Sequence, residues 1–148
     1  MSIYNIKGIM RRFMLSLAVL LGALFLAHGQ SLCVKLNGEI PLEAAGVLLQ
    51  RMTQMLEGGA FEVSEEAKDT VWVTANVVEH MTTPGSISQS VLVLDIRTVY
   101  GEAEEVFSVK GVGKDDADAW LRACKQVLPR SKQAQEFIDK LKNGSEAN

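Results

Sequence analysis

Residues 11 to 29, RRFMLSLAVLLGALFLAHG, set a basic pair before an apolar run that ends in small residues, the order of a secretory signal peptide. Arg11 and Arg12 form the positive region, Leu15 to Leu26 the apolar one, and Ala27 and Gly29 the small residues before a cut between Gly29 and Gln30. The run from Phe13 to Ala27 is too short for a membrane anchor, which needs roughly 20 apolar residues to cross about 30 Å of hydrocarbon. No basic stop-transfer cluster succeeds it. Translation from Met10 would give a more ordinary signal, because MSIYNIKGI precedes the basic pair awkwardly. The folding problem therefore belongs to the chain beyond residue 29.

Removing 29 of the 148 residues leaves 119, enough for one core and too few for two ordinary domains. The expected organisation is a cleaved signal over 1–29, a single domain over 30–142 and a flexible tail over 143–148. The lost segment holds Lys7, Arg11 and Arg12 and no acid. Basic residues thus fall from 15 to 12 against 18 acidic, and the formal charge moves from −3 to −6. Phosphate would repel such a chain, which argues against nucleic acid as a partner. The loose set Lys125, Arg130, Lys132, Lys140 and Lys142 reads as a solvated helical face.

Cys33 and Cys124 remain after cleavage and would reach an oxidising compartment. A bridge between them would close a loop of about 90 residues and add about 4 kcal/mol in the chain-entropy model. Two small buried thiols are the competing reading. Lipidation at Cys33 fits poorly, since bacterial lipoprotein signals carry an aliphatic residue three places before the cysteine and a small one just before it, where this chain has Gln30 and Leu32.

The pattern then runs strand, helix, short strand, three-stranded meander, helix. Cys33 to Leu36 alternates and stops at the turn pair Asn37-Gly38. After Pro41, Ala45, Leu48, Leu49, Met52, Met55 and Leu56 recur at helical spacing, and Gly58-Gly59 end the helix with a left-handed cap. Phe61 to Val63 is extended. In the run from Val71 to Val78, Val71, Val73, Ala75 and Val77 share one face, leaving Trp72, Thr74, Asn76, Val78 and His80 on the other. Pro84-Gly85 turns the chain. The strand from about Ile87 to Tyr100 has Leu92, Leu94 and Ile96 on one face and Val91, Val93, Asp95 and Arg97 on the other. A turn at Gly101 to Glu104 leads to Val106 to Lys110. Asp115 caps a helix whose expected stripe is Ala117, Trp120, Leu121, Cys124 and Leu128, and Pro129 interrupts before a last amphipathic helix bearing Ala134, Phe137, Ile138 and Leu141. The expected fold class is α+β: a mixed sheet with a three-stranded antiparallel meander packed against an N-terminal and a C-terminal helix.

Catalytic signals are sparse, and no residue is assigned a catalytic, cofactor-binding or metal-ligating role. Gly111-Val112-Gly113-Lys114 sits between strand and helix, but a phosphate loop needs Gly five positions before Gly113 and Ser or Thr after Lys114, where the chain has Ser108 and Asp115. It reads as a turn that relieves a sharp corner. His80 is the one histidine of the mature chain, which rules out a zinc site of several histidines. A hydrolase would have to be built from His80 with Ser86, Ser88 or Ser90, none in a nucleophile-elbow pattern. The acidic pairs and runs lack calcium-loop or glycosidase spacing. If helices cover one sheet face only, Trp72, Val91 and Val93 leave an apolar patch on the other, a mark of partner contact.

The segments VLLQRMTQMLEGGAFEVSEEA, VWVTANVVEH, VLVLDIRTVYGEAEEVFSVKG and GVGKDDADAWLRA, in this order over about 33 to 128, resemble small envelope domains of the TolB amino-terminal, LpoB and CsgG type. That resemblance implies a noncatalytic binding or assembly module of the bacterial cell envelope, periplasmic or secreted, working through contacts with an envelope protein. The alternatives are a small secreted hydrolase using His80, and a soluble carrier holding an apolar ligand between the sheet and the Met-rich helix.

Overall fold

The computed structural model describes residues 30–85 and 87–146. The signal segment and its Gly29 side of the cleavage junction lie outside these residues, as does Ser86. From Ser31 onward the chain forms one compact unit. Its strands are β1 (Ser31–Asn37), β2 (Glu62–Val63), β3 (Asp69–Thr83), β4 (Gln89–Tyr100) and β5 (Ala103–Gly113). Its helices are α1 (Leu42–Gly58), α2 (Asp116–Lys125) and α3 (Lys132–Glu146), so α3 runs through residues 143 to 146, where the sequence suggests a flexible tail.

The fold is α+β, with one mixed sheet in the order β2-β1-β3-β4-β5. β1 lies parallel to both β2 and β3, while β3, β4 and β5 form the antiparallel meander. The β-branched alternation of Val71, Val73 and Ala75 buries one face, joined by Leu92, Leu94, Ile96, Phe107 and Val109. Against it pack Leu48, Met52, Met55 and Leu56 of α1, and Phe137, Ile138 and Leu141 of α3, in a single core.

Two local features depart from the sequence reading. The left-handed residue after α1 is Ala60 (φ 67°), while Gly59 has φ −88°. Phe61 N–H donates to Leu56 O at 3.0 Å and Ala60 N–H to Glu57 O at 3.0 Å, the paired bonds of a Schellman closure, and Phe61 is buried with Leu56. The stop is therefore fixed by where Phe61 must bury, and Ala60 carries the strain. In α2 the buried row is Ala119, Trp120, Ala123 and Cys124, with Ala117 and Leu128 exposed. The helix turns its smallest residues inward because Gly111 and Gly113 belong to β5 and let it approach the strand backbone. A Cβ on Gly111 would meet Ala123 N at 2.6 Å, and one on Gly113 would meet Ala119 N at 2.5 Å. These glycines permit close packing rather than a turn.

Candidate functional site: the open side of the sheet

The helices share one face of the sheet. The other is described by its cross-strand rows, which the register fixes: Lys35, Trp72, Val99 and Glu104; Thr74, Arg97 and Val106; Asn76, Asp95 and Ser108; Glu79, Val93 and Lys110; Met81, Val91 and Val112. Large apolar side chains stand at both ends of this face. Trp72 is 42% exposed at one end, with Lys35 Nζ 5.6 Å from its ring centroid, and Val106 is 38% exposed one row on. Met81 and Val112 are 49% and 39% exposed at the other. Between them runs a polar belt, where Ser108 Oγ donates to Asp95 Oδ1 at 2.7 Å, and Arg97 Nε pairs with Glu104 at 2.5 Å beside Trp72 and Val106.

This corrects the expected patch of Trp72, Val91 and Val93. Trp72 opposes Val99 and Met81 opposes Val91, eight positions away along β4, or about 26 Å at the rise of a strand. Val91 is itself buried at 8% exposure and Val93 half-buried. The exposed apolar surface at that end belongs to the residues flanking Val91 in its row, Met81 and Val112, neither of which the strand periodicity singled out. Finding Met81 required the true phase of β3.

That phase changes at a bulge. Val77 pairs with Leu94 and Glu79 with Val93, which leaves Val78 as the extra residue. Beyond it Glu79 and Met81 turn to the open face and His80 turns to the helix side, reversing the simple alternation expected for His80. The helix side there brings His80 and, from the next row, Ser90 to the first turn of α2. His80 Nε2 lies 3.0 Å from Asp116 Oδ1 and 3.5 Å from Ser90 Oγ, and the Ser90 hydroxyl donates to the same Asp116 oxygen. The Ser90 hydroxyl and then His80 hold the Asp116 carboxyl below the usual aspartate range. α2 is further fixed by Asp115 Oδ1, which accepts from Asp118 N–H at 2.8 Å as the sequence suggests, and by Asp118 Oδ2, which accepts from Lys114 N–H at 3.1 Å.

A serine hydrolase places histidine between serine and carboxylate, using one ring nitrogen for each. Here a single ring nitrogen faces both partners, and the serine gives its proton to the carboxylate. Chemically the trio is a clasp joining the far end of the meander to the start of α2. Ser88 is exposed. Among the described residues no group of three His, Cys, Asp or Glu side chains could hold a metal.

The two cysteines are free and buried. Cys33 lies between Leu32 and Val34, which face the helices, so its side chain takes the opposite side of the sheet from Cys124 of α2. The sheet separates the thiols, so of the two readings the structure holds the pair of buried thiols. Burial pushes the Cys124 thiol up to about 11. Met52 and Met55, proposed to line a carrier's cavity, are each 1% exposed in the packed core. A surface cleft of about 720 Å³ instead lies between Gln54 and Glu57 of α1 and Leu128, Pro129, Arg130 and Ser131. No described helix is long and apolar enough to cross a membrane.

No family model matches the chain, and no curated protein matches it. Among solved structures, a similar chain is a minor lipoprotein from Acinetobacter baumannii, at 8% identity and a TM-score of 0.44, over 78% of this chain and 94% of that one.

Proposed function

We propose that this chain is an exported, noncatalytic binding or assembly module of the bacterial cell envelope, acting through protein contacts. The observation that carries this reading is the one-sided placement of the helices. It leaves Trp72, Val106, Met81 and Val112 exposed on the sheet, where apolar side chains rimmed by polar ones suit a partner surface. The export signal in the sequence supplies the compartment, and the resemblance to the TolB amino-terminal, LpoB and CsgG type supplies the class. A pull-down from envelope extracts with the mature protein should recover a discrete partner, lost when Trp72 and Val112 are both replaced by Asp. Recovery of nothing above background, or equal recovery by the double variant, counts against the reading.

The hydrolase reading keeps one specific support, the meeting of His80 with Ser90. It requires turnover in a broad hydrolase screen that His80→Ala abolishes without unfolding the protein.

A further inference from the structure

The edges of this sheet are treated unequally. At the start of β5, α3 reaches two backbone carbonyls: Lys140 Nζ donates to Glu104 O at 2.9 Å and Gln133 Nε2 donates to Val106 O. On the opposite side β2 shelters the start of β1. β1, however, ends at Asn37, opposite Thr74, whereas β3 continues to Thr83. Among the described residues no strand lies beside the Asn76–Thr83 stretch of β3 on that side. On either side of the Val78 bulge, alternate backbone N–H and C=O groups of such an edge point outward, and an extended backbone is the ligand that matches them. Val77, Val78 and Met81 are 45%, 55% and 49% exposed along this stretch.

We propose that the free edge of β3, from Asn76 to Thr83, binds an extended segment of a partner protein by strand addition, with a Lys or Arg of that segment opposite Glu79. This rests on the reading of the chain as a protein-contact module and names its mode. Glu79 is the one acidic side chain of the stretch, it faces the open side of the sheet, and the mature chain is itself acidic at −6, with 12 basic against 18 acidic residues. Opposite charges on facing strands attract and like charges repel. A second copy suits the edge less well. Pairing about a two-fold at Glu79 sets the two carboxylates against each other, and a register that crosses the bulge opposes Val77 and Glu79, which point to opposite faces.

The test uses three acetylated and amidated peptides, Thr-Val-Thr-Xaa-Thr-Val-Thr with Lys, Thr or Glu at the centre, titrated into the mature protein and followed by amide NMR. Expected are shifts and slowed amide exchange over Asn76–Thr83, with Lys binding up to about fivefold tighter than Thr and Glu weakest. Glu79→Lys, an exposed change that leaves the fold intact, should reverse the order. Absence of binding by all three peptides, perturbation mapping to other residues, or an order that Glu79→Lys does not change overturns the proposal. So does a dimer in light scattering whose β3 amides are protected without peptide. A photo-crosslinker at Trp72 that captures a partner while one at Val78 captures none would end strand addition and leave the contact-module reading standing.

Discussion

Gly111→Ala is the sharpest test of how α2 sits on the sheet. Gly111 pairs with Leu92 in the β4–β5 ladder, and α2 crosses directly over it. An added Cβ would run into Ala119 O and lie 2.6 Å from Ala123 N and 2.9 Å from Ala123 Cβ. Two of these are backbone atoms, which no side-chain rotation can move. Relief means shifting α2 outward until Ala119 O, the nearest of the three atoms, stands at the 3.4 Å where ordinary contact begins. Such a shift loosens the row Ala119, Trp120, Ala123 and Cys124 and pulls Asp116 away from Ser90 and His80. Overpacking of this kind costs about 3 kcal/mol, the upper part of its usual range. For a domain of this size that lowers Tm by about 12 °C. Gly46→Ala is the control, because its Cβ would meet nothing within 4 Å on an exposed turn of α1, and removing a helical Gly gains about 1 kcal/mol. Urea and thermal unfolding of both variants should give opposite signs. A Gly111→Ala protein within about 0.5 kcal/mol of wild type would refute the close packing of α2 on β5.

Ala60→Gly should raise stability by about 1 kcal/mol in urea unfolding, since Ala60 holds a positive φ that glycine adopts freely. Acid should weaken the fold through Asp116, Asp118 and Glu105, whose carboxyls are all held below their ordinary values of 3.8 and 4.5, chiefly by the Ser90 hydroxyl, the Lys114 N–H and Lys140 respectively. A lowered carboxyl stabilises the fold above its unfolded value, and that stability is lost as pH falls toward the folded one. Asp116→Asn should therefore flatten the fall in Tm below about pH 4, and an unchanged acid limb would count against the clasp. Titration with a thiol reagent should find two reactive thiols only after unfolding, and a native mass two hydrogens light would reveal a disulfide instead.

The element order and the helix-facing residues of the meander were readable in the sequence because burial imposes its period on residues such as Val71, Val73, Leu92, Leu94 and Ile96. The expected α2 stripe holds at Trp120 and Cys124 and fails at Ala117 and Leu128, because Gly111 and Gly113 make room at the strand for Ala119 and Ala123, which no large apolar residue marks. No local signal marks the bulge at Val78, and the face expected for His80 beyond it is inverted. That inversion hid both the meeting of His80 with Ser90 and Asp116 and the exposure of Met81. The patch of Trp72, Val91 and Val93 failed for a different reason: sharing a face says nothing about distance along it.

Photo-crosslinking in the producing cell tests the contact role most directly, with the reactive side chain placed at Trp72, Met81 or Val112 on the open face and at Glu43 or Lys125 on the helix side. A discrete adduct from the open-face positions, absent from the helix-side ones, is the expected result. Adducts from the helix side alone, or from none of the five positions, would contradict a binding role for the open side of the sheet.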